Sequence, residues 1–193
     1  RAREQGDPVG AIEQYQAAIE KNPTDARNHA RLGEVHLEMG RPLAAQLAFE
    51  RALEMEPDDP ELTPTLLDRI AESMYRQEKH ANLYAFLEEA TRVRGTSEDY
   101  LRQAEYLGKS GDLDGARLAY LKAGYFAEAG DAEPYLALAD FYERIGDVPN
   151  AVKALRYAAW VAPRHTQLPG RFRKHGIVPG PTLPLEPPKP EGL

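Results

Sequence analysis

The sequence predicts an all-α chain built from repeated pairs of helices, and three observations carry that prediction. The stretch "GDPVGAIEQYQAAIEKNP" at 6–23 returns as "GRPLAAQLAFERALEMEP" at 40–57, which is an interval of 34 residues. A small residue, an aromatic residue and a small residue recur four and three positions apart, which places them on one face of a helix. Each copy has a glycine before this face and a proline after it, as expected for a turn and a helix stop.

The elements follow in chain order from this pattern. The first copy predicts a single helix at about 8–21, and it is followed by four predicted helix pairs. Their expected bounds are 25–38 with 42–55, 61–77 with 79–93, 97–109 with 113–128, and 132–145 with 149–162. Four Gly-Asp dipeptides (at 6, 111, 130 and 146) support the turns, since glycine can close one helix and aspartate can cap the next. Glu78 occupies the glycine place in the second pair, and the stretch "PDDPELTP" before that pair predicts a longer connection.

The repeated positions resemble those of the tetratricopeptide repeat (TPR) family, whose unit has 34 residues. The resemblance rests on a pair such as Leu32-Gly33 or Leu138-Ala139, followed by the alanine, aromatic, alanine and proline of the second helix. It covers about residues 1–163 and implies an α-solenoid, a right-handed superhelix of one half-repeat and four full repeats. His29 and His36 replace aromatic residues of the family pattern, and the unit around Glu78 lacks its glycine.

The expected domain organisation is a repeat body at 1–163 and a tail at 164–193. The body divides into a half-repeat at 1–23 and repeats at about 26–59, 64–96, 97–130 and 132–163. Eight of the 16 prolines lie in 163–190, and the tail carries a local charge of +3 against −10 for the body. Since the first repeat lacks its first helix, we expect the chain to be a piece of a longer protein.

Composition and motifs exclude several classes of function. An acidic body argues against nucleic acid as a partner, and no apolar run approaches the ~20 residues that span a bilayer. Cysteine is absent, and the sequence has no phosphate-binding loop, nucleophile elbow or zinc-protease motif. We therefore expect no catalytic residue, no cofactor and no metal site, and we expect His29 and His36 to pack rather than to bind metal. The compartment is not predicted.

Charged columns on the first helix of each pair are the candidate partner-binding site. In the resembling family these helices line the concave groove of the superhelix. The acidic column follows the Leu-Gly-type pair, and basic residues lie three positions before it or four after it. The candidate residues are Arg31, Glu34, Glu38, Arg69, Glu72, Arg76, Arg102, Glu105, Lys109, Asp140 and Arg144. Solvated pairs at helical spacing explain the columns as well as partner binding does.

The resemblance implies a protein–protein interaction scaffold or adaptor that binds a peptide or protein in the groove. A column of carboxylates would repel the acidic C-terminal peptide of a chaperone, which some family members bind. We therefore expect a mixed-charge or basic partner. Two alternatives stay open: a docking or regulatory module of an enzyme whose catalytic domain lies upstream of Arg1, and homo-oligomeric assembly.

The tail is expected to be extended where proline dominates, because proline forbids helix and sheet pairing. Leu168, Phe172, Ile177 and Val178 could cover the last helix pair at Tyr157, Trp160 and Val161. We expect docking in cis, with Phe172 as the anchor and Arg164, Arg171, Arg173 and Lys174 near acidic groups of the body. Docking on a neighbouring molecule and service as a ligand for a separate domain are the alternatives.

Overall fold

The computed structural model describes residues 7–178, 180 and 183–192, and this part of the chain contains ten α-helices and no strand. In chain order they are α1 (Pro8–Lys21), α2 (Ala26–Glu38), α3 (Pro42–Met55), α4 (Leu62–Arg76), α5 (His80–Val93), α6 (Ser97–Lys109), α7 (Leu113–Phe126), α8 (Glu133–Arg144), α9 (Val148–Val161) and α10 (Leu168–Lys174). Within the described residues, none of these helices has both the length and the apolar character needed to cross a membrane.

The all-α repeat fold predicted from the sequence is confirmed, and the bounds of α1–α9 lie within two residues of those expected. The additional helix, α10, lies in the segment expected to be tail. Its Pro169 stands in the first turn, where a helix tolerates proline because the missing N–H has no intrahelical partner there.

Left-handed residues end the first helix of each pair. Gly40, Gly111 and Gly146 have φ angles of +68°, +87° and +78°, which glycine adopts without steric cost. Glu78 takes the same role with φ of 58°, and it is the only non-glycine residue with positive φ among those described. The backbone thus keeps the left-handed turn of the other repeats although the sequence has no glycine there. This conformation has an energetic cost at Glu78 because the residue carries a side chain.

Aspartate caps begin the second helices. Asp7, Asp112 and Asp147 each accept a hydrogen bond from a backbone N–H three residues later, at 2.9–3.2 Å. These bonds satisfy donors that the first turn of a helix leaves unpaired. The assignment of aspartate as the cap is confirmed at these three positions, and that of glycine as the turn at Gly111 and Gly146, whereas Gly6 lies outside the described residues.

The chain divides into two compact units, Arg1–Phe86 and Leu87–Leu193, and the division falls inside α5. In the first unit, α1 packs on α2, α2 on α3, and α3 on α4. Gly33 faces the ring of Phe49, and a Cβ atom placed on this glycine would lie 2.6 Å from that ring. Gly33 therefore allows α2 and α3 to approach closely around a Phe49 side chain that is fully buried.

In the second unit, α6 packs on α7, α7 on α8, α8 on α9, and α9 on α10. One core cluster runs through these helices and includes Leu138, Phe141, Leu155, Leu168 and Phe172, each at most 3% exposed. Residues of α10 thus belong to the same core as the helix pairs. The expected boundary at residue 163 stays a prediction.

Candidate functional site

The predicted charged columns of the first unit lie on α2 and α4, where they form ion pairs. Arg69 Nε donates to Glu34 Oε1 at 2.7 Å, which joins α4 to α2. Arg76 Nε donates to Glu72 Oε1 at 2.6 Å, and Arg76 Nη1 donates to the carbonyl oxygen of Leu37 at 3.3 Å. The acidic column of one helix and the basic column of the next therefore meet in this unit.

These pairs leave the cationic members accessible. The side chains of Arg69 and Arg76 are 44% and 48% exposed, whereas those of Glu34 and Glu72 are 20% and 23% exposed. The remaining candidates of this unit, Arg31 and Glu38, are also exposed. Ion pairs this open to solvent contribute about 0–1 kcal/mol each, so they add little to the stability of the fold.

In the second unit, four of the five candidates lie at the surface of α6 and α8. Lys109 Nζ lies 2.7 Å from Glu105 Oε1 and 4.5 Å from the centre of the Tyr106 ring. Arg144 is exposed and forms a side-chain hydrogen bond with Tyr120. Burial nonetheless raises the pKa of the Tyr120 hydroxyl above its usual value. The fourth candidate, Asp140, binds Arg171 of α10.

Arg102 is the exception, and its assignment to an exposed groove is wrong. Its side chain is only 3% exposed, and its Nη1 atom donates to the buried carboxylate of Asp99 at 2.8 Å. Asp99 also forms a capping box with Thr96, which turns its side chain towards the interior. Because Arg102 lies three residues later on the same helical face, it follows Asp99 inwards. The Thr-x-x-Asp pattern at 96–99 was the sequence signal for this arrangement.

Two acidic residues of α8 hold α10 in place. Arg171 bonds both Asp140, at 2.5 Å, and Glu143, at 3.1 Å. Lys174 and His175 also contact the Glu143 carboxylate, at 2.5 Å and 2.9 Å. Hydrogen bonds from Lys174, His175 and Arg171 lower the pKa of Glu143 from 4.5 to about 2, although partial burial acts in the opposite direction. Arg171 of α10 thus forms an ion pair with Asp140, as Arg69 of α4 does with Glu34 in the first unit.

The start of the tail packs on the second unit of its own chain, while its docking in cis rather than on a neighbouring molecule stays a prediction. Leu168 and Phe172 are 3% and 2% exposed, and Ile177 packs against the same core cluster. Val178 is 87% exposed and Trp160 is 50% exposed, so the expectation that these two pack in the contact was wrong.

The proline-rich end of the tail lies along α9. The carbonyl oxygen of Leu183 accepts a hydrogen bond from Arg156 Nε at 2.7 Å, and the Leu185 N–H donates to the carbonyl oxygen of Arg156 at 3.1 Å. Further along, Pro188 borders a cavity of about 150 Å³. The cavity is lined by residues of three helices: Arg117 and Leu121 of α7, Leu138 and Tyr142 of α8, and Asn150, Lys153 and Tyr157 of α9.

His29 and His36 are half-buried on α2, and each has one buried ring nitrogen without a hydrogen-bond partner. Burial, together with the nearby charge of Arg41, lowers the pKa of His36 below its usual value. Over the described residues, no three His, Cys, Asp or Glu side chains come together closely enough to hold a metal ion.

Sequence reasoning missed two features of this surface. Glu143 lies outside the charged columns, and its role becomes visible only when α10 brings three cationic groups to it. Arg156 and the cavity beside Pro188 were missed because a proline-rich segment carries no periodic signal that would place it on a particular helix. The run "RFRKH" at 171–175 was the available signal for a basic helix end.

Comparison with known proteins connects this architecture to one family. Residues 2–70 match the family model described as tetratricopeptide repeat. No curated protein sequence matches the chain.

Three solved structures share the fold. MamA is 18% identical, with a TM-score of 0.58 over 90% of this chain and 95% of MamA. A thermophilic TPR protein of Thermus thermophilus is 20% identical, with a TM-score of 0.56 over 89% of this chain and 92% of its own. YrrB, described as a TPR protein with an unusual peptide-binding site, is 18% identical, with a TM-score of 0.52 over 90% of this chain and 87% of its own. Residues 2–70 are therefore similar to tetratricopeptide repeats, and helix pairs of the same kind continue beyond them.

Proposed function

We propose that the chain is a protein–protein interaction scaffold that binds an extended segment of a partner protein along the charged first helices of its first unit, α2 and α4. The observation that carries the proposal is the repeated acid–base pairing on exposed helix surfaces. In the first unit, Glu34 and Glu72 are held in place by Arg69 and Arg76, whose guanidinium groups stay accessible. The surface of α2 and α4 therefore presents both positive and negative groups to a ligand, and their side chains are already held in place before the ligand binds.

The partner that fits is a segment of mixed or basic charge. A bound cation can replace or share the arginine on Glu34 or Glu72, and a bound carboxylate can share the exposed side of Arg69 or Arg76. An acidic chaperone tail would place a run of carboxylates beside the acidic column, so we propose that it does not bind. The fold relationship to YrrB, a protein described as peptide-binding, supports a peptide as ligand. Catalysis, nucleic acid and a bound cofactor have no part in this proposal.

Crosslinking the natural protein in its host, followed by affinity capture and mass spectrometry, identifies the partner. A charge-swap variant then tests the surface. E34R/R69E keeps the ion pair between α2 and α4 but reverses its polarity, so stability is retained while recognition of a charged ligand changes. The matched control is R51E/E54R, which reverses an exposed pair at 2.8 Å on α3.

We expect the Glu34–Arg69 swap to lower partner affinity by roughly tenfold or more, since close interfacial charge pairs are worth about 1.5 kcal/mol or more. The control swap should leave affinity unchanged. Equal loss in both variants, or no loss in either, would overturn the assignment of the surface. Capture of this chain alone would instead favour assembly of identical copies. Binding of an acidic chaperone-tail peptide at micromolar concentration, lost in R69A, would contradict the predicted charge of the ligand.

A further inference from the structure

The structure contains a second peptide-sized surface, on the side of the second unit formed by α7 and α9. Residues 183–190 lie on it as an extended segment that begins with Leu183, Pro184 and Leu185. Leu183 and Leu185 are half-buried against the core cluster, and Pro190 is buried. The seated tail therefore indicates that this surface accepts an extended segment that contains proline.

The recognition is that of an extended peptide. Arg156 binds the segment twice, with its side chain to the Leu183 carbonyl oxygen and with its own carbonyl oxygen to the Leu185 N–H. Both bonds use backbone groups of the segment, so any extended chain could form them. Proline lowers the entropic cost of such binding, because a proline-rich segment is already extended before it binds.

The segment leaves part of the surface unfilled. The cavity of about 150 Å³ beside Pro188 has Leu121 and Leu138 as apolar lining, with Tyr142 and Tyr157 contributing aromatic rings. Two cationic side chains, Arg117 and Lys153, border the same cavity, and Arg156 lies beside the start of the segment. A ligand with a larger or acidic side chain in the place of Pro188 would therefore make contacts that this chain's own tail does not make.

We propose that the α7–α9 surface binds an extended, proline-rich, acidic segment of a partner protein, and that residues 183–190 occupy it until they are displaced. The cationic border complements an acidic ligand, and the seated segment has the same extended, proline-rich character. The tail competes at the effective concentration of a tethered ligand, which is about millimolar for a short linker. Because the tail occupies the surface, only partners that bind more tightly than the tethered tail would displace it.

The test uses a fluorescent peptide with the sequence of residues 183–192, "LPLEPPKPEG", and the chain of 193 residues. The variant L183S/L185S weakens seating of the tail while leaving the α7–α9 surface intact. We expect this variant to bind the peptide about tenfold or more tightly than the wild-type chain, as removal of a tethered competitor requires. A peptide with all four prolines changed to alanine should bind the variant more weakly, because it loses preorganisation.

The border of the surface is tested by adding K153E to the tail-weakened variant, with K21E as the matched control on α1. We expect K153E to reduce peptide affinity and K21E to have no effect. Equal affinities of the wild-type chain and the tail-weakened variant, or equal effects of the two lysine substitutions, would overturn the proposal.

Circular dichroism establishes whether L183S/L185S stays folded. If it does not, the wild-type chain decides the question by NMR at millimolar peptide. The side-chain amide of Asn150, which lines the cavity, should then shift together with the Leu185 amide as the tail leaves. No shift at either position at that concentration would overturn the proposal, whereas shifts at both support it.

Discussion

Replacing Glu143 with glutamine removes one negative charge from the contact between α8 and α10 and nearly preserves its shape. The folded protein lowers the pKa of Glu143 from 4.5 to about 2. At ~1.4 kcal/mol per pKa unit, this corresponds to an upper limit of about 3 kcal/mol in the free energy of unfolding. The Lys174 side chain is 63% exposed, so solvent screens its share, whereas Arg171 and His175 are 16% and 8% exposed.

We therefore expect E143Q to lower the free energy of unfolding by about 1–2 kcal/mol at pH 7, after discounting for screening. For a chain of this size, that corresponds to roughly 3–6 °C in melting temperature. The assay is urea unfolding followed by the fluorescence of Trp160, the only tryptophan, which lies on α9 in the same unit. The matched control is E105Q, since Glu105 is 50% exposed and has one lysine partner one turn away, worth about 0.2–0.5 kcal/mol.

The pH dependence has a defined sign. Because the folded pKa of Glu143 lies below its unfolded value, the stabilisation is fully present above about pH 4.5 and is lost as the pH falls towards about 2. Arg171, Lys174 and His175 face this carboxylate from α10 and its end, and Asp140 lies one turn away on α8. The difference between wild type and E143Q should therefore shrink in acid. An equal difference at about pH 3 and pH 7, or none at pH 7, would refute the reasoning.

Three further substitutions test the backbone, the helix contact and the tail. E78G should raise the free energy of unfolding by about 0.5–1 kcal/mol in thermal unfolding, because relief of the left-handed strain at φ of 58° exceeds the added entropy cost of glycine. G33A should lower it by about 1–3 kcal/mol in the same assay, since the added Cβ would lie 2.6 Å from the Phe49 ring. Truncation after Pro163 should lower the melting temperature by several degrees, on the order of 1–3 kcal/mol, because the buried side chains of α10 are removed.

Each of these has a control or a contradicting outcome. E88G places glycine inside α5 and should destabilise by about 1 kcal/mol, so a loss of similar size in E78G would mean that Glu78 is not strained. G170A adds a Cβ that meets nothing within 4 Å, so its effect should be neutral or favourable. A truncated chain that melts where the parent melts would show that α10 does not contribute to the fold.

The sequence by itself determined the helical repeat, because the repeat is a local and periodic property. Spacings of three and four residues identify the buried face of each helix, and the Gly-Asp dipeptides identify its ends. Even Glu78 was recognisable as a substitute for glycine, since its neighbours keep the repeat in register. The exposed charged columns were predictable for the same reason, because helical spacing determines which residues share a face.

Tertiary structure decided which charges stay at the surface and where the tail lies. Arg102 has the spacing of a surface residue, but the buried carboxylate of Asp99 draws it into the core. Glu143 acquires its partners from residues 28–32 positions away, and Arg156 binds a segment 27 positions away. Helical periodicity reports only neighbours within one or two turns, so contacts at these separations depend on how the helices pack. The occupied surface on α7 and α9 is therefore visible only in the folded chain.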